Sequence, residues 1–414
     1  MTSPSLASQT SQGSAPSESG AQGGKHPHFA LAVLSLAMGG FAIGTTEFVT
    51  MGLLPEIATG VGVTIPAAGH VISAYAVGVV VGVPIIAILG ARLPRRALLV
   101  ALMVAFALGN AASAAAQSYG VLTLARFFAG LPHGAYFGVA SLVAAGLAAP
   151  GRKGRAIAMM MLGLSVANVV GVPAATWLGQ NLGWRTAYVA VTGLGLLTVA
   201  LVLLFVPSFP GDREATGRRE LAAFRRPQVL LTLLAGAVGF GGMFAVYSYI
   251  APTVTELGGL PNSAVPVFLL SFGLGMVAGT WVAGELADWS VFKSLLGSSV
   301  GVAVILVVFA LVAPYGWWAL PVVFLISVIS SVLVVNLQLR LMTVAADAQT
   351  IGASMNHASL NIANALGAWL GGLVIAAGYG YSAPALVGAV LAVLGLVILL
   401  ASAALHRQQH PVVS

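Results

Sequence analysis

The stretch Phe29–Leu54 reads FALAVLSLAMGGFAIGTTEFVTMGLL, and Glu47 is its single charged residue. At about 1.5 Å per residue, a helix of this length crosses the hydrocarbon core of a bilayer. A carboxylate at that depth is unfavourable by about 3 kcal/mol or more. Glu47 therefore either snorkels to the interface or lines an internal path as a titratable group, and the rest of the sequence favours the internal path.

The composition is that of a polytopic membrane protein. Of the 414 residues, 59% are hydrophobic and 7% are charged, whereas soluble domains carry about a quarter charged residues. The sequence contains no Cys, which excludes disulfides, cysteine zinc sites and iron–sulfur clusters. The net charge of +7 comes from basic residues in short loops between apolar spans, a pattern of membrane topology and not of a nucleic-acid-binding face.

Apolar windows long enough to cross a bilayer recur along the chain. They lie at roughly 29–54, 66–90, 97–116, 121–147, 156–180, 185–206, 228–252, 264–287, 294–313, 316–341, 350–377 and 381–405. The pattern predicts an all-α polytopic membrane protein with twelve transmembrane helices. An even number of spans places both termini on the same side of the membrane.

The basic residues predict which side that is. All but two of the 17 Lys and Arg residues fall on the side of the termini, the exceptions being Arg126 and Arg185. By the positive-inside rule, both termini are expected in the cytoplasm, so that the chain is a multi-pass protein of the cytoplasmic membrane. Residues 1–28 lack the apolar region of a signal peptide and are expected to form a disordered cytoplasmic tail.

Several positions of the first half recur in the second half at a constant offset. At an offset of 197, Pro55, Gly78 and Gly82 recur as Pro252, Gly275 and Gly279. At an offset of 196, LSVANVVG at 164–171 returns as LNIANALG at 360–367. This spacing predicts two pseudo-symmetric six-helix bundles, with a substrate site near mid-membrane between them.

The repeat also predicts the domain organisation. We expect the tail 1–28, an N-terminal bundle 29–206, a cytoplasmic linker 207–227, a C-terminal bundle 228–406 and a second cytoplasmic tail 407–414.

Arg126 in the fourth span is the natural counterpart of Glu47. Both lie about 10 Å below the non-cytoplasmic boundary, and an opposite charge at matched depth keeps a buried carboxylate ionised. Protonation of Glu47 would release Arg126, a switch that a conformational change could follow. His133 lies two turns beyond Arg126 on the same face. Two plainer roles stay open. The sole role of Arg126 could be to bind backbone carbonyls, and His133 could be a hydrogen-bonded packing residue.

Three spans carry candidate residues for a central cavity. In the fifth span, small residues with Gly171 and Pro173 indicate either a rocking hinge or tight packing. The seventh span carries aromatic residues at i, i+4 and i+7, which would suit flat or amphiphilic substrates if they face a cavity and would be inert facing lipid. The candidate cavity residues are Asn168, Phe240, Phe244, Tyr247, Asn356, His357, Asn361 and Asn364.

Motifs of other chemistry are absent from the sequence. We find no Walker A motif for ATP, and no HExxH or GxSxG constellation of an enzyme. No His or carboxylate lies at metal-ligand spacing from Arg126 or His133, so no metal and no cofactor are expected. Transport work would then come from an ion gradient, worth about 2.3 kcal/mol per charge per 100 mV. A monomer is the default expectation.

Three motifs resemble the major facilitator superfamily, in particular its twelve-helix drug:proton antiporter branch. AILGARLPRR at 87–96 resembles the loop motif G-x-L-A-D-R-x-G-R-K, although Ala91 and Pro94 replace its Asp and Gly. In the second half, GELAD at 284–288 has an acidic residue, Asp288, at the position that corresponds to Ala91. Arg126 with Gly130 resembles the R-x-x-x-G motif, and Gly171 with Pro173 resembles the antiporter motif, although Ala175 stands where Gly is common. The matching positions are Arg92, Arg95, Arg96, Arg126, Gly130, Gly171, Pro173 and Asp288.

The resemblance implies a secondary transporter that exports small organic, drug-like molecules in exchange for protons by alternating access. Glu47 would bind the proton and Arg126 would hold the deprotonated state. Gly171 and Pro173 would let the halves rock, and the three loop arginines would bridge helices at the cytoplasmic face. These motifs belong to the machinery and not to the pocket, so a sugar or nucleoside efflux permease stays an alternative. An intramembrane enzyme and a receptor-like protein are remote ones.

Overall fold

The computed structural model describes residues 29–90, 92–149, 152–211, 226–345 and 349–409. Within these ranges the chain is helical and contains no strand. The expected tail 1–28, Ala91, most of the expected linker 207–227 and residues 410–414 lie outside the described residues. The predicted domain boundaries stay predictions.

Six membrane helices form the N-terminal half. They are α1 (Phe29–Gly52), α2 (Ile65–Gly90), α3 (Arg95–Ala115), α4 (Tyr119–Leu147), α5 and α6 (Trp184–Phe205). The α5 helix has three parts, Lys153–Val166, a π-helical turn Ala167–Gly171, and Val172–Leu182. A short helix, Leu54–Val61, follows α1.

Six further helices form the C-terminal half, and the first of them is broken. The α7 helix consists of Pro227–Gly239, Gly241–Tyr247 and Ile250–Pro252, followed by a π-helical turn Thr253–Leu257. The others are α8 (265–289) and α9 (291–312), both within Val265–Val312, then α10 (Ala319–Ala345), α11 (Gln349–Ala376) and α12 (Ala383–Gln409). Short 3₁₀ turns, Asn262–Ala264 and Ala313–Trp318, precede α8 and α10.

Ten ranges of the described chain are long and apolar enough to cross a membrane. One of them, Asn262–Val344, is 83 residues long and contains α8, α9 and α10. Extended backbone at Ser290 (φ −173°, ψ 110°) separates the first two, and Gly316 (φ +62°) turns the chain between the last two. The described residues therefore contain twelve spans, and the predicted fold of two six-helix bundles is confirmed.

Successive helices alternate in direction. We call the side on which α1 begins and α12 ends the terminal side. The opposite side, which carries the short helix Leu54–Val61, is the distal side.

The sequence repeat corresponds to a repeated packing contact. A Cβ added to Gly78 or Gly82 of α2 would collide with the carbonyl oxygens of Phe127 and Leu131 of α4. Their counterparts at an offset of 197, Gly275 and Gly279 of α8, would meet the carbonyls of Phe324 and Val328 of α10 in the same way, and these residues are also offset by 197. Glycine lets the two helix backbones touch at both crossings.

Several contacts join the two halves along the distal part and the middle of the helices. The Ser73 hydroxyl of α2 donates to the Ala365 carbonyl of α11 over 3.2 Å. At the distal ends, the side-chain amide of Gln180 donates to the carbonyl of Asn262 over 3.0 Å. A Cβ on Gly273 of α8 would collide with a backbone carbonyl of α5. The first two of these contacts lie towards the distal side, and the third lies near the middle of the helices.

Candidate functional site

Arg126 lies at the centre of the N-terminal half and is completely buried. Its Nη1 donates to the Thr46 hydroxyl over 2.9 Å and to Oδ1 of Asn110 over 3.5 Å, and its Nη2 donates to the Thr46 carbonyl over 3.1 Å. The Thr46 hydroxyl in turn donates to Oδ1 of Asn110. One guanidinium thus ties α4 to α1 and α3.

Two tyrosine rings complete the surroundings of this cation. The guanidinium carbon lies 4.2 Å from the ring centre of Tyr75 on α2 and 5.2 Å from that of Tyr188 on α6. An aromatic face attracts a desolvated cation electrostatically. The Nε of Arg126 is buried and has no hydrogen-bond partner among the described residues. Arg126 is therefore held largely by neutral groups, including the backbone carbonyl that the plainer role required.

Glu47 follows Thr46 directly and is 7% exposed. It lies close enough to Arg126 to interact electrostatically, yet the hydrogen bonds of Arg126 go to Thr46 and Asn110 instead. Arg126 therefore binds the residue directly before Glu47, so the carboxylate lies beside a hydrogen-bonded link between α1 and α4.

His133 is joined to the Arg126 cluster through Tyr75. The Tyr75 hydroxyl and Nδ1 of His133 lie 3.0 Å apart, while the face of the same tyrosine ring covers Arg126. The His133 ring centre is 5.4 Å from that of Phe137, which stacks on His357 of α11 at 5.6 Å with the planes 3° apart. This row of rings runs from the centre of one half to the other half, on the terminal side of Glu47.

The aromatic residues of α7 are buried inside the protein and do not face the lipid. Phe240, Phe244 and Tyr247 are at most 7% exposed. The ring of Phe48, which follows Glu47 on α1, stacks on Phe244 with centres 6.4 Å apart and meets Tyr247 edge-on at 5.6 Å. An apolar surface shared by both halves therefore begins one residue away from Glu47.

The break in α5 brings Asn168 into the interface between the halves. Pro173 has no backbone N–H to continue the α-helical ladder, and a π-helical turn spans the residues just before it. Asn168, within that turn, donates to the Leu164 carbonyl over 3.0 Å. Its Oδ1 is buried without a hydrogen-bond partner in the described residues. Gly171 ends the turn, where a Cβ would collide with the Thr45 hydroxyl.

Side-chain amides in the second half also carry unpartnered polar atoms. Both amide atoms of Asn356 and of Asn364 are buried without hydrogen-bond partners among the described residues. Asn361 donates to the His357 carbonyl over 3.0 Å, and its Oδ1 is likewise unpartnered there. Buried polar groups are unfavourable unless they are hydrogen-bonded. These unpartnered amides are therefore candidates for hydrogen bonds to a polar ligand.

The residues of the loop motif lie at the terminal side. Arg96 donates to the carbonyl of Leu203, which ties α3 to the end of α6. The backbone N–H of Arg95 donates to the Phe209 carbonyl over 2.9 Å. Arg92 and Asp288 are exposed.

Gly130 occupies the α2–α4 crossing, where a Cβ would collide with the Tyr75 carbonyl.

Two ionisable groups outside the spans have raised pKa values. Burial raises the pKa of the Glu56 carboxyl on the short distal helix. In the α11–α12 loop, burial raises the pKa of Tyr381 to about 12, and the Glu256 carboxylate, to which its hydroxyl donates, adds to this effect. Neither group touches the central cluster.

Several residues of this site were missed by sequence reasoning. Thr46, Tyr75, Asn110 and Tyr188 surround Arg126, and Asn336 of α10 carries another buried unpartnered Oδ1. A polar residue in an apolar span was the available signal, but that signal is weak for Thr and Tyr, which are common in membrane helices. In the described part of the chain, no group of three His, Cys, Asp or Glu residues could hold a metal ion.

Comparisons with known proteins place this geometry in a family. A model described as "Major Facilitator Superfamily" matches residues 36–356. The inner membrane transport protein YdhP of Escherichia coli (strain K12) is 42% identical over 375 residues, which cover 90% of this chain and 95% of YdhP. The chloramphenicol resistance protein of Streptomyces lividans is 37% identical over 336 residues, covering 80% of this chain and 86% of that protein.

Among solved structures, a D-xylose-proton symporter superposes with a TM-score of 0.68 at 16% identity, covering 90% of this chain and 97% of the symporter chain. At that identity the likeness shows the fold alone. The chain belongs to the Major Facilitator Superfamily and is a multi-pass transporter of the cell membrane, not an enzyme.

Proposed function

We propose that this protein exports small organic molecules in exchange for protons, with Glu47 as the proton-binding group. A proton that binds to Glu47 removes the negative charge beside Arg126. Substrate binding then favours the release of that proton. The two halves then expose the interface alternately to the two sides of the membrane, without ATP and as a monomer. The chloramphenicol resistance relative supports drug efflux as the form of this activity.

The observation that carries the proposal is the position of Glu47. It is a nearly buried carboxylate in α1 that receives no hydrogen bond from its neighbouring cation, and it adjoins the aromatic surface shared by both halves. Ionisable residues inside a membrane span typically mark ion or substrate pathways. A proton and a substrate would thus act at one place.

The antiporter-like motif of α5 supports export as the direction of transport, and the loop charges support the orientation in the membrane. With the basic loops in the cytoplasm, the terminal side is the cytoplasmic side. The contacts along the distal part of the interface then correspond to a state closed towards the outside, from which an exporter collects its cargo.

The test begins with a growth-inhibition panel in cells with and without the gene, repeated after an uncoupler collapses the proton gradient. A compound whose toxicity the gene reduces, with chloramphenicol as the first probe, is then added to proteoliposomes containing the purified protein. We expect it to drive proton release from the wild type. Glu47→Gln should reduce this release to background, because a neutral amide cannot carry the proton.

Glu56→Gln is the matched control, since it makes the same change nine residues further on, outside the span. It should leave proton release unchanged. Normal exchange by Glu47→Gln would remove Glu47 from the mechanism.

The unpartnered amides favour a second candidate function, efflux of a sugar or nucleoside. Hydroxyl-rich substrates need several hydrogen-bonding side chains, and Asn168, Asn356, Asn361 and Asn364 each have a buried polar atom without a partner in the described structure. Counterflow of a radiolabelled pentose and a radiolabelled nucleoside separates this activity from drug efflux. Loss of that counterflow in Asn364→Leu, with the resistance profile unchanged, would establish the second function.

A further inference from the structure

The hydroxyl of Tyr247 is unlike those of the other buried tyrosines in the membrane helices. It is buried, yet it has no hydrogen-bond partner among the described residues. The comparable hydroxyls are all engaged: Tyr75 with His133, Tyr136 with the Leu36 carbonyl, Tyr188 with Thr50, and Tyr249 with the Ala368 carbonyl. An unpaired buried hydroxyl is unfavourable, so it points to a partner acquired in another state.

The position of the Tyr247 ring is set by two aromatic neighbours. Its centre lies 4.0 Å from that of Phe272 on α8 and 5.6 Å from that of Phe48 on α1. Phe48 directly follows Glu47 on α1, so this edge-on contact brings Tyr247 to the segment that carries the carboxylate. Tyr247 is thus a polar group of the C-terminal half that approaches the proposed proton site.

Titratable or charged side chains of three helices surround the Glu47 segment. Arg126 from α4 binds Thr46, Tyr75 from α2 covers that guanidinium, and Tyr247 from α7 meets Phe48. The Tyr188 hydroxyl of α6 is engaged with Thr50. At this level α5 and α8 present Asn168 and Phe272, which do not titrate. Of the three, Arg126 and Tyr75 have hydrogen-bond partners inside the N-terminal half.

The backbone around Tyr247 is suited to a small movement. Its helical segment, Gly241–Tyr247, is one of the short pieces of α7 and is separated from the others at Phe240 and at Ser248. A short segment between two breaks can shift without bending a long helix.

We propose that Tyr247 couples the C-terminal half to the proton on Glu47, by donating its hydroxyl to the carboxylate when Glu47 is ionised and releasing it when Glu47 is protonated. A hydrogen bond to a carboxylate is roughly twice as strong as one to a neutral group, so the contact between the halves depends on the proton. Tyr247 is a positioning residue in this scheme, which rests on the proposed proton exchange.

The test is Tyr247→Phe, which keeps the ring against Phe48 and Phe272 and removes only the hydroxyl. The first readout is the protonation of Glu47 itself, followed by infrared spectroscopy as the carboxyl band that Glu47→Gln abolishes. A donor to the carboxylate favours the ionised form, so its loss should move the titration midpoint to higher pH by about one unit. The pH profile of substrate-driven proton release should shift in the same direction.

The matched control is Tyr249→Phe, which removes a hydroxyl that is bound to a backbone carbonyl and should leave the midpoint unchanged. An unchanged infrared midpoint would overturn the proposal. So would a change in substrate KM alone, which would make the hydroxyl a substrate contact.

The infrared titration keeps the two hypotheses distinguishable. A shifted midpoint without substrate-driven proton release in the wild type would support the Tyr247–Glu47 contact and reject the proposed exchange. Proton release in the wild type with an unshifted midpoint in Tyr247→Phe would do the reverse.

Discussion

Arg126 illustrates how a buried charge is accommodated at the scale of one residue. Placing an isolated cation in a low-dielectric interior is unfavourable by several kcal/mol, at order of magnitude, unless its donors are satisfied. Here three hydrogen bonds to Thr46 and Asn110 and two tyrosine rings share that task. Because the main partners are neutral, we expect the cation to keep them whether or not Glu47 carries a charge. The proposed exchange of a proton at Glu47 would therefore leave the bundle intact.

We expect Thr46→Val to weaken this arrangement. Valine is close to threonine in shape but lacks the hydroxyl that accepts from Arg126 and donates to Asn110. The free energy of unfolding, measured by denaturant titration in detergent micelles, should fall by about 1–3 kcal/mol.

Thr198→Val is the control for this prediction. Thr198 is equally buried, but its hydroxyl donates only to the Leu194 carbonyl of its own helix. Its replacement should change stability by less than half as much. Equal losses in the two variants would show that the Arg126 contact adds nothing beyond a general loss of hydroxyls.

At the scale of the helices, the two halves use one crossing scheme with a chemical difference. Gly130 meets the Tyr75 carbonyl at the α2–α4 crossing, whereas Ser327, its counterpart at an offset of 197, donates to the Phe272 carbonyl of α8 over 2.6 Å. Likewise, a Cβ on Gly163 would collide with the Ala37 carbonyl, whereas Ser359 donates to the Leu233 carbonyl over 2.7 Å. The second half thus has hydrogen bonds where the first has bare backbone contact.

The crossings make a prediction about added volume. Gly78→Ala and Gly275→Ala should each lower the free energy of unfolding by about 1–3 kcal/mol, because the new methyl group meets a backbone carbonyl that cannot rotate away. Gly193→Ala on α6 adds the same methyl group to open space and should be neutral or slightly stabilising. Thermal unfolding of the three variants in one detergent checks the order. If Gly78→Ala proved as harmless as Gly193→Ala, the close crossing would be wrong.

At the scale of the whole molecule, the interface between the halves decides which side is open. The contacts at Ser73 with Ala365 and at Gln180 with Asn262 lie towards the distal side. An alternating-access cycle has to break them, so they are the place to arrest it. The sequence contains no Cys, so a pair of cysteines can be introduced and cross-linked without first replacing others.

We expect that Gln180→Cys combined with Asn262→Cys, joined by a short bifunctional thiol reagent, will hold the distal side closed. Transport in proteoliposomes should stop after cross-linking and return after reduction, while the two single variants treated in the same way should transport normally. Full activity of the cross-linked protein would show that the distal contacts do not open during transport.

The sequence by itself determined the twelve-span fold, because a bilayer accepts only apolar segments of sufficient length and the repeat required two like halves. It also indicated Glu47 and Arg126, since a charge is rare and costly in such a segment. These inferences need no knowledge of neighbours in space.

Only the tertiary structure decided what these residues touch. Periodicity along one helix carries no information about the rotation of another, so the grip of Arg126 on Thr46 and Asn110 was not predictable from spacing. The same holds for the link from Tyr75 to His133 and for the contact of Tyr247 with Phe48. Each depends on how several helices pack around a shared polar centre, and the packing is set by all of their side chains together.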